Sequence, residues 1–167
     1  HQVLGVSTVE NAQLVYVDTP GMHLGQSKAI NRAMNKAAAS ALNDVDLTLL
    51  ICDRTKWTEE DDFVLELVGR RQTPVALVIN KVDLMEQKNE LLPFTESLSA
   101  RCEFDAVFPI SALRAYGLDE LADYEATQAP AGPHLFPEDQ ITDRSQRFLA
   151  AELVREKNVK QLGEALP

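Results

Sequence analysis

Cysteine is nearly absent. The 167-residue chain has two, Cys52 and Cys102, too few for a disulfide framework and in keeping with a reducing, cytosolic compartment. No run of 18 apolar residues occurs and no stretch reads as a signal peptide, so nothing is expected to span a membrane. Positive charge is also short: 16 Lys and Arg stand against 26 Asp and Glu, a net charge of −10. That balance argues against a nucleic-acid surface spread over the whole chain. What remains is ordinary for a globular protein, with 45% hydrophobic and 25% charged residues. The length allows one domain, or one with an appendage, and a real core.

The most informative stretch is Asn80-Lys81-Val82-Asp83. It follows an apolar, β-branched run, Val75 to Ile79, that reads as a strand covered on both faces. A tetrad there lies beyond the carboxyl end of a strand, where open α/β sheets bind ligands. Its chemistry suits guanine. Asp83 can accept from the ring N–H and the exocyclic amine together, Asn80 can pin neighbouring loops, and the Lys81 stem can lie over the ring face. Adenine offers no such donor pair. Taken alone, the tetrad is also compatible with a polar strand-to-loop exit.

Two further motifs end apolar runs. Asp18-Thr19-Pro20-Gly21-Met22 follows Leu14 to Val17. Asp18 can hold a magnesium ion through water, and Gly21 allows close backbone approach to a terminal phosphate. Ser111-Ala112-Leu113 follows Val107 to Ile110, and its backbone N–H groups can meet the guanine carbonyl. The motifs come in the order D-x-x-G, N-K-x-D, S-A-x. Their spacings, about 60 and 30 residues, suit βα units. Together they resemble the guanine-nucleotide-binding domain of the translation-factor-like GTPases.

The rest of the chain reads as alternating strands and helices. Val3 to Thr8 and Leu14 to Val17 form a hairpin turned at Glu10-Asn11. Ser27 to Leu42 is an alanine-rich amphipathic helix, and Leu47 to Cys52 a buried strand. Thr58 caps a helix to about Val68, with Glu59, Glu60, Asp61 and Asp62 favoured in its first turn by the helix dipole. Phe63, Val64, Leu67 and Val68 are expected to face the core. Trp57 is expected to pack at the loop–helix junction, and His23 to face solvent. Leu91 to Cys102 is a helix with Pro93 in its first turn, and Phe104 to Ile110 a strand. Gly117-Leu118-Asp119 opens a closing helix of weak pattern. Ala129 to Pro133 has linker composition, and a helix with Thr142 or Asp143 as cap runs to about Leu162. From Thr142 on, five basic residues face four acidic ones, a balance of +1 that leaves −11 for the rest.

The segment Phe136-Pro137-Glu138-Asp139-Gln140-Ile141-Thr142-Asp143-Arg144-Ser145-Gln146-Arg147-Phe148 is the most specific, with Ala151 to Lys157 after it. It is similar to the connector that joins the GTPase domain to a KH-type RNA-binding domain in the Era family of GTPases. Val15 to His23 and Asn31 to Ala38 are also Era-like. The resemblance covers nearly all of the chain. It implies an α/β, P-loop GTPase-type three-layer sandwich, a mostly parallel sheet with an antiparallel hairpin edge and helices on both faces. It implies residues 1–128 as a partial GTPase domain, 129–140 as a linker and 141–167 as the connector helix.

It further implies GTP/GDP and Mg2+ as ligands. Asp18 is then the metal residue. Thr19, Pro20, Gly21, Met22, Asn80, Lys81, Val82, Asp83, Ser111, Ala112 and Leu113 are the other nucleotide contacts. Implied partners are small-subunit ribosomal RNA and the small subunit, through the KH domain. The protein is then a slow GTPase of small-subunit assembly. It is expected to be a cytoplasmic monomer with some association at the inner membrane face.

The sequence departs from the family in places. No G-x-x-x-x-G-K-[ST] segment occurs. That loop supplies most of the phosphate binding, so the 167 residues alone are expected to be inactive and incompletely folded, a portion of a longer protein. Met22 stands where many relatives carry a water-orienting glutamine, so no catalytic base is assigned. Two alternatives stay open: another ribosome-assembly or tRNA-modifying GTPase of the superfamily, and a non-hydrolysing adaptor that keeps the fold.

Overall fold

The computed structural model describes residues 4–9, 12–17, 45–70 and 73–141. They fall into two compact units, His1–Asp18 with His134–Pro167, and Thr19–Pro133. The expected helix from Ser27 to Leu42 and the connector helix after Ile141 lie outside the described residues.

In the first unit, β1 (Leu4–Val9) and β2 (Ala12–Val17) form an antiparallel hairpin, with Val6 opposite Val15 and Val9 opposite Ala12. Among the described residues this hairpin is its own two-stranded sheet, where the sequence suggested an edge of the parallel one. The stretch His134 to Ile141 docks on it through the Gln13 side chain and one backbone bond. Gln13 Oε1 accepts from Leu135 N and Phe136 N, each at 2.8 Å, and Gln13 Nε2 donates to Phe136 O at 2.9 Å. Val6 N donates to Ile141 O at 2.9 Å, which satisfies part of the outer edge of β1.

The second unit is a three-stranded parallel sheet in the order β3 (Thr48–Asp53), β4 (Val75–Asn80), β5 (Ala106–Pro109). In β4 the five residues before Asn80 are all buried, as its unbroken apolar run requires. Side chains alternate across it. Leu50 and Cys52 of β3 and Val75, Leu77 and Ile79 of β4 pack on one face against Leu65 and Val68 of α1 (Glu59–Gly69) and Leu98 of α2 (Leu91–Ser99). Val78 on the other face meets Ile110 and Leu121, the latter from α3 (Leu118–Gln128). Helices therefore cover both faces.

Thr58 caps α1 as the sequence suggested, through a reciprocal box. Asp61 N donates to Thr58 Oγ1 at 3.3 Å, and Thr58 N to Asp61 Oδ2 at 2.7 Å. Of the expected core residues Val68 is buried at 2% and Val64 packs on the core, but the stripe centres on a residue outside the expected set. Leu65 is the anchor, at 2% exposure, while Phe63 is 36% exposed. Trp57 does pack at the junction: its indole donates to Asp62 Oδ1 at 2.6 Å and its ring meets Phe94 of α2 edge-on at 5.9 Å. The α2 helix ends at Ser99 rather than Cys102. Arg101 N and Cys102 N both turn back to Leu98 O, and Cys102 is buried by that turn. The weakly patterned closing helix is present as α3, entered through Gly117 at φ +71°. A Cβ there would lie 2.9 Å from Pro109 O, so the turn requires glycine.

Candidate functional site

The carboxyl ends of β4 and β5 bring the N-K-x-D and S-A-x motifs together. Their link is Asn80. Its Oδ1 accepts Lys81 N at 2.7 Å and Ala112 N at 3.0 Å, so one amide oxygen ties the end of β4 to the loop after β5. Val82, buried at 4%, adds a second tie, with its N–H donating to Ile110 O at 3.1 Å. The chain turns sharply at Lys81 (φ +63°) into a short 3-10 turn, Val82–Leu84.

The S-A-x loop is closed on itself. Ser111 N donates to Tyr116 O at 3.0 Å, and Tyr116 N returns to Ser111 O at 3.1 Å. Ser111 is 1% exposed, and its Oγ accepts from Arg114 N at 3.2 Å. The N–H groups of Ser111 and Ala112, expected to face a base carbonyl, are therefore both engaged within the protein. Leu113 is 82% exposed.

Val82, Asp83, Lys88, Ser111, Arg114 and Tyr116 line an open cleft of about 220 Å3. The Asp83 side chain is 21% exposed, and its nearest cation, Arg114 Nε, is 3.9 Å away, too far for a hydrogen bond. Among the described residues no donor occupies its oxygens. A carboxylate held at a cleft wall with both oxygens free fits a ligand edge that presents two adjacent N–H donors. The guanine edge is such an edge.

A second charged group flanks the tetrad, and the sequence reading passed over it. Asp53, the last residue of β3, lies opposite Asn80 in the parallel register. Its Oδ2 accepts Lys81 Nζ at 2.8 Å, and its Oδ1 accepts Arg54 Nε at 2.7 Å. Hydrogen bonds from Arg54 first, then Lys81, hold its carboxyl down to about 2. The signal available in the sequence is an acid closing the apolar run Leu49-Leu50-Ile51-Cys52.

Asp18, Thr19, Pro20, Gly21 and Met22 lie outside the described residues, and with them the expected magnesium position. Among the described residues no group of three or more His, Cys, Asp or Glu side chains is placed to hold a metal ion.

A parallel sheet covered on both faces, with an N-K-x-D tetrad beyond the carboxyl end of its middle described strand, is the fold of the P-loop GTPases. Residues 1–81 match the family model of the 50S ribosome-binding GTPases. The similarity is, more narrowly, to the Era family. Over all 167 residues it is 52% identical to GTPase Era of Pseudomonas syringae pv. tomato. It spans 56% of that protein's length, about half of the curated relatives it matches. Among solved structures it is similar to Era in complex with MgGDPNP and nucleotides 1506–1542 of 16S ribosomal RNA. That likeness has a TM-score of 0.80 and 36% identity, over 93% of this chain and 53% of the other. Aquifex aeolicus Era bound to GDP·AlF4− gives 0.79 and 36%, over 93% and 54%.

Proposed function

We propose that this chain is the nucleotide-reading portion of an Era-type GTPase, a GTP-controlled switch that binds small-subunit ribosomal RNA during small-subunit assembly. The observation that carries the reading is the Asp83 carboxylate. It lines the cleft with no hydrogen-bond donor on its oxygens among the described residues and only Arg114 near it at 3.9 Å, while Asn80 locks the two flanking loops together at 2.7 and 3.0 Å. Asp83 accepts from the guanine ring N–H and amine. Lys81 and the Ser111–Leu113 loop flank the base. Asp18 would hold magnesium, which would supply charge neutralisation at the phosphates. Gly21 would meet the terminal phosphate. No residue is assigned as the base that activates water.

The RNA partner rests on likeness. Era has been crystallised with a 16S ribosomal RNA segment, and the Era match runs over all 167 residues. The large-subunit description belongs to a family model that matches only residues 1–81, so the small subunit is preferred. We place the protein in the cytoplasm as a monomer, with peripheral contact at the inner membrane face. The test is a titration of the full-length protein with fluorescent GDP in magnesium, competed by unlabelled GDP or ADP. Displacement by GDP alone is expected. Equal displacement by ADP contradicts guanine reading by Asp83.

A further inference from the structure

The Asp53–Arg54 corner grips both leading residues of the tetrad. Arg54 N donates to Asn80 O at 2.9 Å, and Asp53 Oδ2 accepts the Lys81 ammonium at 2.8 Å. The corner itself is fixed. Asp53 is held at its other oxygen by Arg54 Nε at 2.7 Å, and Arg54 sits at φ +55°, a conformation open to few non-glycine residues. We propose that Asp53 is a positioning residue for guanine recognition, which holds the Lys81 side chain in place before the nucleotide arrives. The proposal rests on the reading above, in which the tetrad holds guanine.

Lysine is the tetrad member that most needs such a partner. Its four-carbon stem has the largest rotamer freedom of the three polar residues, and that freedom is lost when the stem lies on a base. Asn80 and Asp83 are restrained by the backbone turn and by short side chains. Lys81 stands at φ +63°, so its backbone is set by the turn, but among the described residues its ammonium pairs with one carboxylate, at 2.8 Å. Tethering that end removes ordering cost from the binding step. The side chains of Lys81 and Asp53 are 51% and 35% exposed, so as a stabilising ion pair the contact contributes little. A purely structural role therefore predicts almost nothing on removal, whereas a positioning role predicts weaker nucleotide binding in a fold of unchanged stability.

The experiment is a double-mutant cycle in the full chain, read by fluorescent GDP binding. Asp53→Asn is expected to raise Kd about three- to tenfold. Asp53→Glu is expected to recover most of the loss, because a carboxylate is restored. In a Lys81→Ala background, Asp53→Asn is expected to add less than about twofold, because the group it positions is gone. Thermal midpoints of all four proteins are expected to agree within about 1–2 °C. Binding by Asp53→Asn within twofold of the parent overturns the proposal alone, and so does an equal loss in both backgrounds. If the parent protein binds no GDP, the functional reading fails and this proposal fails with it.

Discussion

Cys52 shows how a single residue can tie stability to pH. It lies on β3 at 6% exposure, in the core cluster with Leu65 and Ile79. Burial first, then the carboxylates of Asp61 and Asp53, pushes its thiol from 9.0 up to about 12. Between these values the folded chain keeps a proton that the unfolded chain releases, so stability from this group is present below pH 9 and falls as pH rises toward 12. Urea midpoints of the parent protein should therefore drop over that range more steeply than those of Cys52→Ala. Parallel curves contradict the assignment. Residue types at the site were legible from the sequence because the tetrad is contiguous and ends a strand. The Asp53–Lys81 contact was not, because only the parallel register brings two residues so far apart in the chain to the same sheet end.

Among the elements, α1 separates what sequence signals carry from what they miss. Its start was legible: Thr58, Asp61 and the acidic first turn are local chemistry, and each appears as a hydrogen bond or a favourable dipole position. Its buried stripe was legible only in part, at Val64 and Val68. Phe63 and Leu67 compete with Leu65 for the core by hydrophobicity, and the packing angle against β3 and β4 decides among them. Leu65 meets Leu50, Leu77 and Ile79 in one cluster, whereas Phe63 reaches solvent. Leu65→Ala should cost about 2–5 kcal/mol in urea unfolding, and Phe63→Ala less than about 1. The reverse order contradicts this packing. The strand β5 is likewise shorter than the expected Phe104 to Ile110: its paired register with β4 covers Ala106 to Pro109, flanked by single bonds from Asp105 N to Val75 O and Ile110 N to Ile79 O.

At the scale of the molecule, each unit is held by a different kind of contact. The sheet unit has layered apolar packing on both faces of β4, which hydrophobic pattern made legible. The hairpin unit depends on Gln13, whose amide serves Thr8 Oγ1 at 3.1 Å as well as the Leu135–Phe136 backbone. No local pattern marks a glutamine in β2 as the partner of a stretch more than 120 residues away. The linker composition read from the sequence covers only Ala129 to Pro133 and stops short of it. Gln13→Ala removes all three bonds to it, so amide exchange at Leu135 and Phe136 should speed up at least about tenfold, with β4 amides unchanged. Unchanged exchange at both positions contradicts the clamp.

The measurement that bears most directly on the central claim concerns Asp83. Xanthine replaces the exocyclic amine of guanine with a carbonyl, so its edge presents one donor and one acceptor. An asparagine amide matches that edge, and a carboxylate does not. Dissociation constants for GDP and XDP should be measured for the parent protein and for Asp83→Asn. The account predicts that the substitution weakens GDP by about a hundredfold, ~3 kcal/mol, and makes XDP the preferred ligand. Retained preference for GDP in Asp83→Asn would contradict it, and guanine would then have to be read elsewhere.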